Sequence, residues 1–433
     1  MEKKIYNYSY NFFLKKKIRY PSNLEQLITF CRKKYSIVGS LHSYNDRAIG
    51  YGPVSLKKFN KIIKFDIKKR TIEVQSGLRV EDLLEIIEKE KLIIKSLPGT
   101  KFATIGGLIA NNTLGKHLHK SYIKDYVLSI TILNKGKIYK CSRKYNSEIF
   151  NLTFGAGGAT GVIIDAKFKL DKCVSENILV NKYFFSSIKN LKKKILNIRN
   201  QSEYLAIWVN FFSKIKEPSN GKNEDAGFNG ILFYAKHLQY QTNIKKRKAI
   251  NLPKILVYIL NYFSHTQIFA RIFNLIFFIQ NTFFMKKIYN YKDFFFIQNT
   301  IYNWNHIFKK KGFFVYEFKC KYIELEKNLL LIKNFFEIKK IFPHFMFIKF
   351  SDNIMSNVVI SMEIVKDKDF INKRILFREF TSENKISLSL TKDSLINKIN
   401  SNTLSSNPYL LKINRKYLDK KFNSDFAKRV SIE

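Results

Sequence analysis

Leu97–Asn112, LPGTKFATIGGLIANN, is the stretch on which the reading of this chain turns. Its glycines, Gly99, Gly106 and Gly107, stand among small polar residues beside an expected strand, where a missing Cβ lets another backbone or a ligand approach closely. Two segments of similar character follow, GKHLH at Gly115–His119 and TFGAGGATGVII at Thr153–Ile164. Unobstructed backbone N–H groups are what a pyrophosphate requires, so the cluster predicts a phosphate-binding cradle. Neither single-loop version fits. No GxGxxG joins a strand to a helix with an acidic residue about twenty positions on. No GxxxxGK followed by Ser or Thr is present either. The cradle must be assembled from several loops.

Around these segments the first third alternates short helices and strands. Ser22–Arg32 reads as a helix opened by a capping box between Ser22 and Glu25. A strand at Tyr35–Val38 leads into a polar loop, Gly39–Gly52, and then a hairpin spans Asn60–Gly77. Val80–Lys91 is a second helix whose Leu83, Leu84 and Ile87 form a core stripe. Ser129–Leu133 and Lys137–Cys141 make a hairpin across Asn134, Lys135 and Gly136, and Val162–Leu170 is a strand with period-two alternation. From residue 176 the glycines thin out and a second domain begins. Within it Leu252–Phe296 is the most apolar stretch, interrupted by Asn261, Ser264, His265 and Arg271, so it is too broken to span a bilayer. Flanking cations (Lys245, Lys246, Arg247, Lys248, Lys286 and Lys287) make an interfacial amphipathic helix one reading and core helices the other. Tyr409–Val430 is expected to be helical.

The 433 residues are 45% hydrophobic and 26% charged, which excludes a disulfide-stapled miniprotein and a mainly disordered chain. The net charge of +43 suggests a polyanion partner. The excess is nearly all lysine, spread evenly along the chain, and no zinc-finger, basic-zipper or RNP pattern occurs, so nucleic acid is not the expected partner. An anionic membrane surface or a phosphorylated substrate uses the charge more economically. Cys31, Cys141, Cys173 and Cys320 lie far apart, which fits neither a metal site nor a disulfide framework. A reducing cytoplasm is the expected location, with peripheral association at the inner membrane face. The N-terminus lacks the apolar core and cleavage site of a secretory signal.

Taken together, the motifs resemble the FAD-binding oxidoreductases of the vanillyl-alcohol oxidase and p-cresol methylhydroxylase type. The loop GSLHSYND after Val38 is similar to that family's pyrophosphate loop through Gly39, Ser43, Tyr44 and Asp46. In the central stretch Pro98, Gly99, Thr100, Thr104, Gly106, Gly107, Ala110 and Asn111 match the run that wraps the cofactor. Gly155, Gly158, Thr160, Gly161 and Val162 match the loop and strand that close the flavin site. GKHLH, the Asn303–Asn305 element, the VYEF run after Gly312 and the TKDS run resemble the polyprenyl-phosphoribose oxidase branch. Leu114, Val315 and Glu317 depart from that branch's pattern.

The resemblance implies an α+β protein with a two-lobed FAD-binding fold, made of two α/β subdomains, and an inserted α+β substrate domain. The FAD domain would span residues 1–175 and the substrate domain 176–387, with 388–433 returning to the FAD domain. FAD would be held by Gly39, Ser40, Leu41, His42, Ser43, Tyr44, Asp46, Pro98, Gly99, Thr100, Thr104, Gly106, Gly107, Asn111, Asn112, Gly115, Gly158, Gly161 and Val162. Lys392, Lys116 and His119 are the catalytic candidates, and Trp304, Tyr316, Glu317 and Lys349 the substrate-binding ones. The implied reaction takes the 2-hydroxyl of a polyprenyl-phosphoryl pentose to a ketone, with a separate short-chain reductase as the partner that completes epimerisation. His42 stands where the alditol and aldonolactone oxidases attach FAD covalently, so a covalent flavin and a small polyol or lactone substrate form the alternative. A flavin-less basic protein that binds nucleic acid or membrane is the alternative from another class.

Overall fold

The computed structural model describes residues 4–213, 227–244, 247–351, 356–389, 392, 417–419 and 421–429. The chain divides into two compact units. One contains residues 1–115, 122–173 and 388–433, and the other contains 116–121 and 174–387. The six residues Lys116–Ser121, placed by the sequence reading in the first domain, thus group with the second unit. Their backbone pairs there: Lys116 O accepts from Leu205 N at 3.0 Å and Leu118 N donates to Glu203 O at 2.9 Å.

The first unit is built on a five-stranded antiparallel sheet in the spatial order Ile62–Asp66, Thr71–Gln75, Val162–Lys169, Val127–Asn134 and Lys137–Ser142. Register puts Ile72 opposite Phe168 and Val74 opposite Ala166, with Ile130 on the other side of Ala166. All five side chains are buried, which gives the sheet one apolar face. Ser36–Val38 pairs in parallel with Pro53–Ser55. Helix Val80–Ile87 buries Leu83, Leu84 and Ile87 as their spacing predicts, and a short 3₁₀ turn, Glu88–Glu90, follows it. Helix Leu24–Cys31 is capped one residue later than expected. Asn23, itself a strong cap, accepts from Gln26 N, and Gln26 Oε1 accepts from Ser22 N.

The C-terminal segment returns to this unit at 417–425. Tyr35 N donates to Lys421 O, Asn423 N to Tyr35 O and Asp425 N to Ile49 O. Buried Tyr35 donates its hydroxyl to Asp419 Oδ2 at 2.8 Å, and Lys135 N donates to the same oxygen. Burial and the Asp419 charge push the Tyr35 phenol well above its ordinary value. Most of the helix expected at Tyr409–Val430 lies outside the described residues. Within them, Asp425–Arg429 is helical.

The second unit is an eight-stranded sheet in the order Lys286–Asn290, Asn177–Phe185, Gly230–His237, Tyr204–Val209, Phe345–Ser351, Asn357–Val365, Phe313–Lys321 and Ser387–Leu388. Helices Leu325–Ile338 and Phe370–Glu383 cover one face, where Tyr316 meets Phe336 and Phe377. Helix Gln267–Thr282 covers the other, with Phe277 against Trp208, Phe345 and Phe347 and Phe278 against Phe184. With both faces covered, the central strands read as nearly continuous apolar runs rather than as alternation. Tyr204–Val209 is buried at every position.

Candidate functional site

In the first unit the Gly39–Asp46 loop, the central stretch Leu97–Asn112 and the Thr153–Ile164 segment converge. Asn45, buried within the GSLHSYND loop, holds that loop. Its Oδ1 accepts from Ser43 Oγ at 2.6 Å and from Arg47 N at 3.2 Å. The N-terminal segment adds further ties, since Asn7 Nδ2 donates to Ser43 O and Asn45 O, and Ser9 Oγ to Tyr44 O.

Arg47 then joins the loops. Its Nη1 donates to Asn111 Oδ1 at 2.9 Å and to Ala110 O at 3.3 Å in the central stretch. Ala110 O also accepts from Gly157 N of the third segment. A Cβ at Gly157 would lie 3.0 Å from Arg47 Cδ. Gly39 reaches the central stretch as well, for a Cβ there would stand 2.7 Å from Thr104 Oγ1. Thr104 caps helix Ile105–Ala110 by accepting from Gly107 N. Gly106 N donates to Ser76 O, which ties this helix to the strand preceding it in the sheet.

His42 is half-buried between Tyr8, whose ring stacks at 5.4 Å, and Phe102 at 5.6 Å. Its Nδ1 lies 2.8 Å from Ser40 O, an acceptor only, so Nδ1 carries the proton and Nε2 keeps its lone pair in the neutral ring. Burial lowers the His42 pKa against the pull of the Ser40 carbonyl, and Arg79 lowers it further. Lys392 is half-buried with Nζ 5.9 Å from the centre of the Tyr44 ring. Thr391, Asp393 and Ser394 of its motif lie outside the described residues.

Several residues expected at the cofactor do structural work as well. Thr100 Oγ1 accepts from Phe102 N and stabilises the turn after Pro98 and Gly99. A Cβ at Gly115 would lie 2.8 Å from Ser96 Cα, and one at Gly158 would meet the Phe422 ring at 2.9 Å. Gly161 faces Leu133 O, and Val162 is a buried strand residue paired with Leu133. For these two the close approach is to the sheet.

In the second unit, Lys116 is held against two aromatic residues. Its ammonium lies 4.5 Å from the centre of the Phe294 ring and donates to Phe294 O and, at 3.4 Å, to Phe295 O. Enclosure pushes its pKa well below the ordinary lysine range, and the charge of Lys349 lowers it further. Strand register puts Lys349 opposite Val359 and Glu317 opposite Ser361, so Lys349, Glu317 and Ser361 share the face that also carries Phe347 and Trp208. Glu317 is buried and accepts from Ser361 Oγ at 2.8 Å.

Tyr316, one residue away, points to the opposite face and packs against Phe336 and Phe377. Trp304 also packs among aromatic rings. It is buried among Phe273, Phe308 and Phe345. His119 is exposed to solvent. The buried member of that motif is His117, whose Nδ1 accepts from Lys120 N at 2.9 Å and whose ring packs edge-on against Tyr204. Tyr204 donates its hydroxyl to His237 Nε2 at 2.8 Å, because His237 Nδ1 must donate to Ser175 O. Arg47, Tyr204 and His237 carry no local sequence signal, because their side-chain partners are distant in the chain.

Lys116→Met offers a test of this electrostatic picture through stability. Between the depressed folded pKa and the unfolded value of about 10.4, the unfolded chain binds one more proton at Lys116 than the folded chain. Wild-type stability therefore rises with pH across that window relative to the methionine variant, whose matched side chain carries no charge. Urea unfolding of both proteins at several pH values measures the difference. A constant difference would show that Lys116 is solvated.

Residues 18–142 match a family model described as FAD binding domain. The segment that matches contains the Gly39–Asp46 loop and the central stretch. The chain is 25% identical to L-gulonolactone oxidase of Mus musculus over 203 residues, which are 44% of this chain and 46% of that protein. It is 28% identical to L-galactono-1,4-lactone dehydrogenase of Arabidopsis thaliana over 198 residues, 43% of this chain and 32% of that one. D-lactate dehydrogenase of Anaerostipes hadrus is 34% identical over 124 residues, 27% of this chain and 26% of that protein. The chain thus spans less than half the length of these curated relatives. Among solved structures, a solvent-stable cholesterol oxidase superposes with a TM-score of 0.64 at 13% identity, covering 90% of this chain and 86% of that one. A chitooligosaccharide oxidase gives 0.63 at 13%, covering 96% and 92%. These likenesses agree on the fold.

The first unit fits FAD as its cofactor. Ser76 Oγ and Asn112 Oδ1, both shielded from solvent, make no hydrogen bond within the protein, and each lies beside the central glycine stretch. A Cβ at Gly107 would meet only Thr104 Oγ1, at 3.1 Å, so this backbone is otherwise open. Unsatisfied polar atoms and bare backbone are what a pyrophosphate and its ribose would engage.

Proposed function

We propose that this chain is an FAD-dependent oxidoreductase that takes a secondary alcohol of an anionic sugar, the 2-hydroxyl of a polyprenyl-phosphoryl pentose, to a ketone. A separate short-chain reductase would then complete the epimerisation. The observation that carries the anionic substrate is Lys116, its Nζ held by the Phe294 and Phe295 carbonyls, with the charge of Lys349 acting on it. Two cations on one unit favour a ligand bearing negative charge. A bound phosphoryl group would raise the Lys116 pKa again, so binding takes up a proton and weakens as pH rises.

When bound, FAD supplies a two-electron acceptor for the hydrogen on the carbinol carbon. The Gly39–Asp46 loop, the central stretch and the Arg47 contacts would hold it. Lys392, beside Tyr44, would meet the substrate hydroxyl or stabilise negative charge on the reduced cofactor. A second reading, aldonolactone oxidation, is favoured by His42, whose Nε2 is left with a lone pair, and by the lactone-oxidising enzymes among the relatives.

Anaerobic mixing of the FAD-loaded protein with each substrate class, followed by the loss of flavin absorbance, separates the two. A polyprenyl-phosphoryl pentose is expected to bleach the flavin in wild type. Lys392→Ala should retain FAD and lose the bleaching. Bleaching by aldonolactones alone, with flavin that stays in the acid-precipitated pellet, would transfer the assignment to the second reading.

A further inference from the structure

Two helices of the second unit, Lys254–Phe263 and Gln267–Thr282, have an unusual distribution of side chains. The longer one turns Phe269, Ala270, Phe273, Asn274 and Phe277 inward. Asn274 is buried there and donates to Ala270 O and His344 O, both at 2.8 Å. Its outward face carries Ile268, Ile272, Leu275, Ile276 and Ile279, all between 45% and 70% exposed. The preceding helix exposes Ile255, Tyr258 and Tyr262 at 73%, 75% and 54%, and Phe283, Phe284 and Met285 continue the row. A helix apolar on both faces belongs in a core or against a lipid phase, and a water-facing patch of this extent marks a docking surface.

Charge decides the occupant. No acidic residue occurs between Asp225 and Asp293, whereas eight Lys and Arg fall between residues 245 and 287. Lys254, Arg271, Lys286 and Lys287 are exposed. Lys310 joins them, its Nζ 4.5 Å from the centre of the Tyr262 ring. A second copy of this chain would set these cations against each other, while a surface of anionic headgroups neutralises them and leaves the isoleucines and tyrosines to enter the acyl boundary. No helix among the described residues is long and apolar enough to cross a membrane, so the contact lies in the plane of the surface.

We infer that the outward face of Lys254–Thr282, with its rim of cations, docks this protein on an anionic phospholipid bilayer. This does not depend on which alcohol is oxidised.

Flotation of the full chain with phosphatidylglycerol–phosphatidylcholine vesicles tests it, with pure phosphatidylcholine vesicles and high salt as comparisons. Wild type is expected to float with the anionic vesicles at low salt and to lose partition as salt screens the cations. The variant Ile268→Ser/Ile272→Ser/Leu275→Ser/Ile279→Ser changes only exposed positions, so it should keep the wild-type unfolding midpoint and remain in the dense fraction. Lys254→Gln/Arg271→Gln/Lys286→Gln/Lys287→Gln should lose about fivefold in partition per charge. Wild type that fails to float, a serine variant that floats equally well, or a wild-type dimer dispersed by the serine substitutions would each overturn the inference. The last would assign the face to a second copy.

Discussion

Gly161→Ala is expected to unfold the first unit outright under conditions where wild type is stable. Gly161 has φ = +107°, a region closed to L side chains, and a Cβ there would lie 2.2 Å from Leu133 O. That oxygen belongs to the adjacent strand, paired with Val162. Relief requires the two central strands of the sheet to separate. Backbone strain of about 1–3 kcal/mol adds to the lost pairing, which puts the total above about 4 kcal/mol, a large part of what a domain possesses. Gly136→Ala is the control. It also has positive φ, at +79°, but nothing lies within 4 Å of its added Cβ, so the cost is about 1 kcal/mol. Urea unfolding of both variants gives the comparison. Equal midpoints would mean that the Gly161 backbone can relax.

Arg47→Met should release the cofactor while leaving most of the fold in place. The methionine fills a similar volume beside Gly157 but donates to neither Asn111 Oδ1 nor Ala110 O. Two charge-assisted hydrogen bonds of about 1.5 kcal/mol or more each position the central stretch relative to the first loop. Their loss predicts an FAD affinity weaker by about 100-fold. Titration of apoprotein with FAD measures it, and Arg47→Lys, which can still donate to one of the two oxygens, should fall between. Wild-type affinity in the methionine variant would show that the loops hold their places without Arg47.

Both predictions concern the same cradle, yet only one of them was legible from the chain. Gly161 belongs to a glycine-rich run, and local composition is enough to mark where a Cβ cannot be tolerated. Arg47 looks like any cation in a lysine-rich protein until Ala110 and Asn111 are found at the end of its side chain. The Tyr35–Asp419 hydrogen bond, which closes 384 positions of chain, was invisible for the same reason. The motif around Tyr316 and Glu317 shows the converse case. Adjacent residues on a strand point to opposite faces, so one motif sends Glu317 to the side of Lys349 and Tyr316 into the core. The two faces could be told apart only once the register with Asn357–Val365 and the covering helices were known.

The helical pair was legible in a different sense. Its apolar character and its cations are written in the composition of residues 245–287, but composition is equally compatible with a core helix and a surface helix. Exposure of Ile268, Ile272 and Leu275 alongside burial of Asn274 is a property of packing.

The division follows the range of the forces involved. Local covalent sterics and hydrophobic periodicity act over a few residues, so several strands and helices of the first unit, the glycine cradle and its pyrophosphate chemistry could be read directly along the chain. Hydrogen bonds between distant segments, the face a side chain occupies and the desolvation of a charge such as Lys116 depend on what the rest of the molecule brings alongside. Those were decided by tertiary structure, because the dielectric surroundings and partners of a group are set by its neighbours in space.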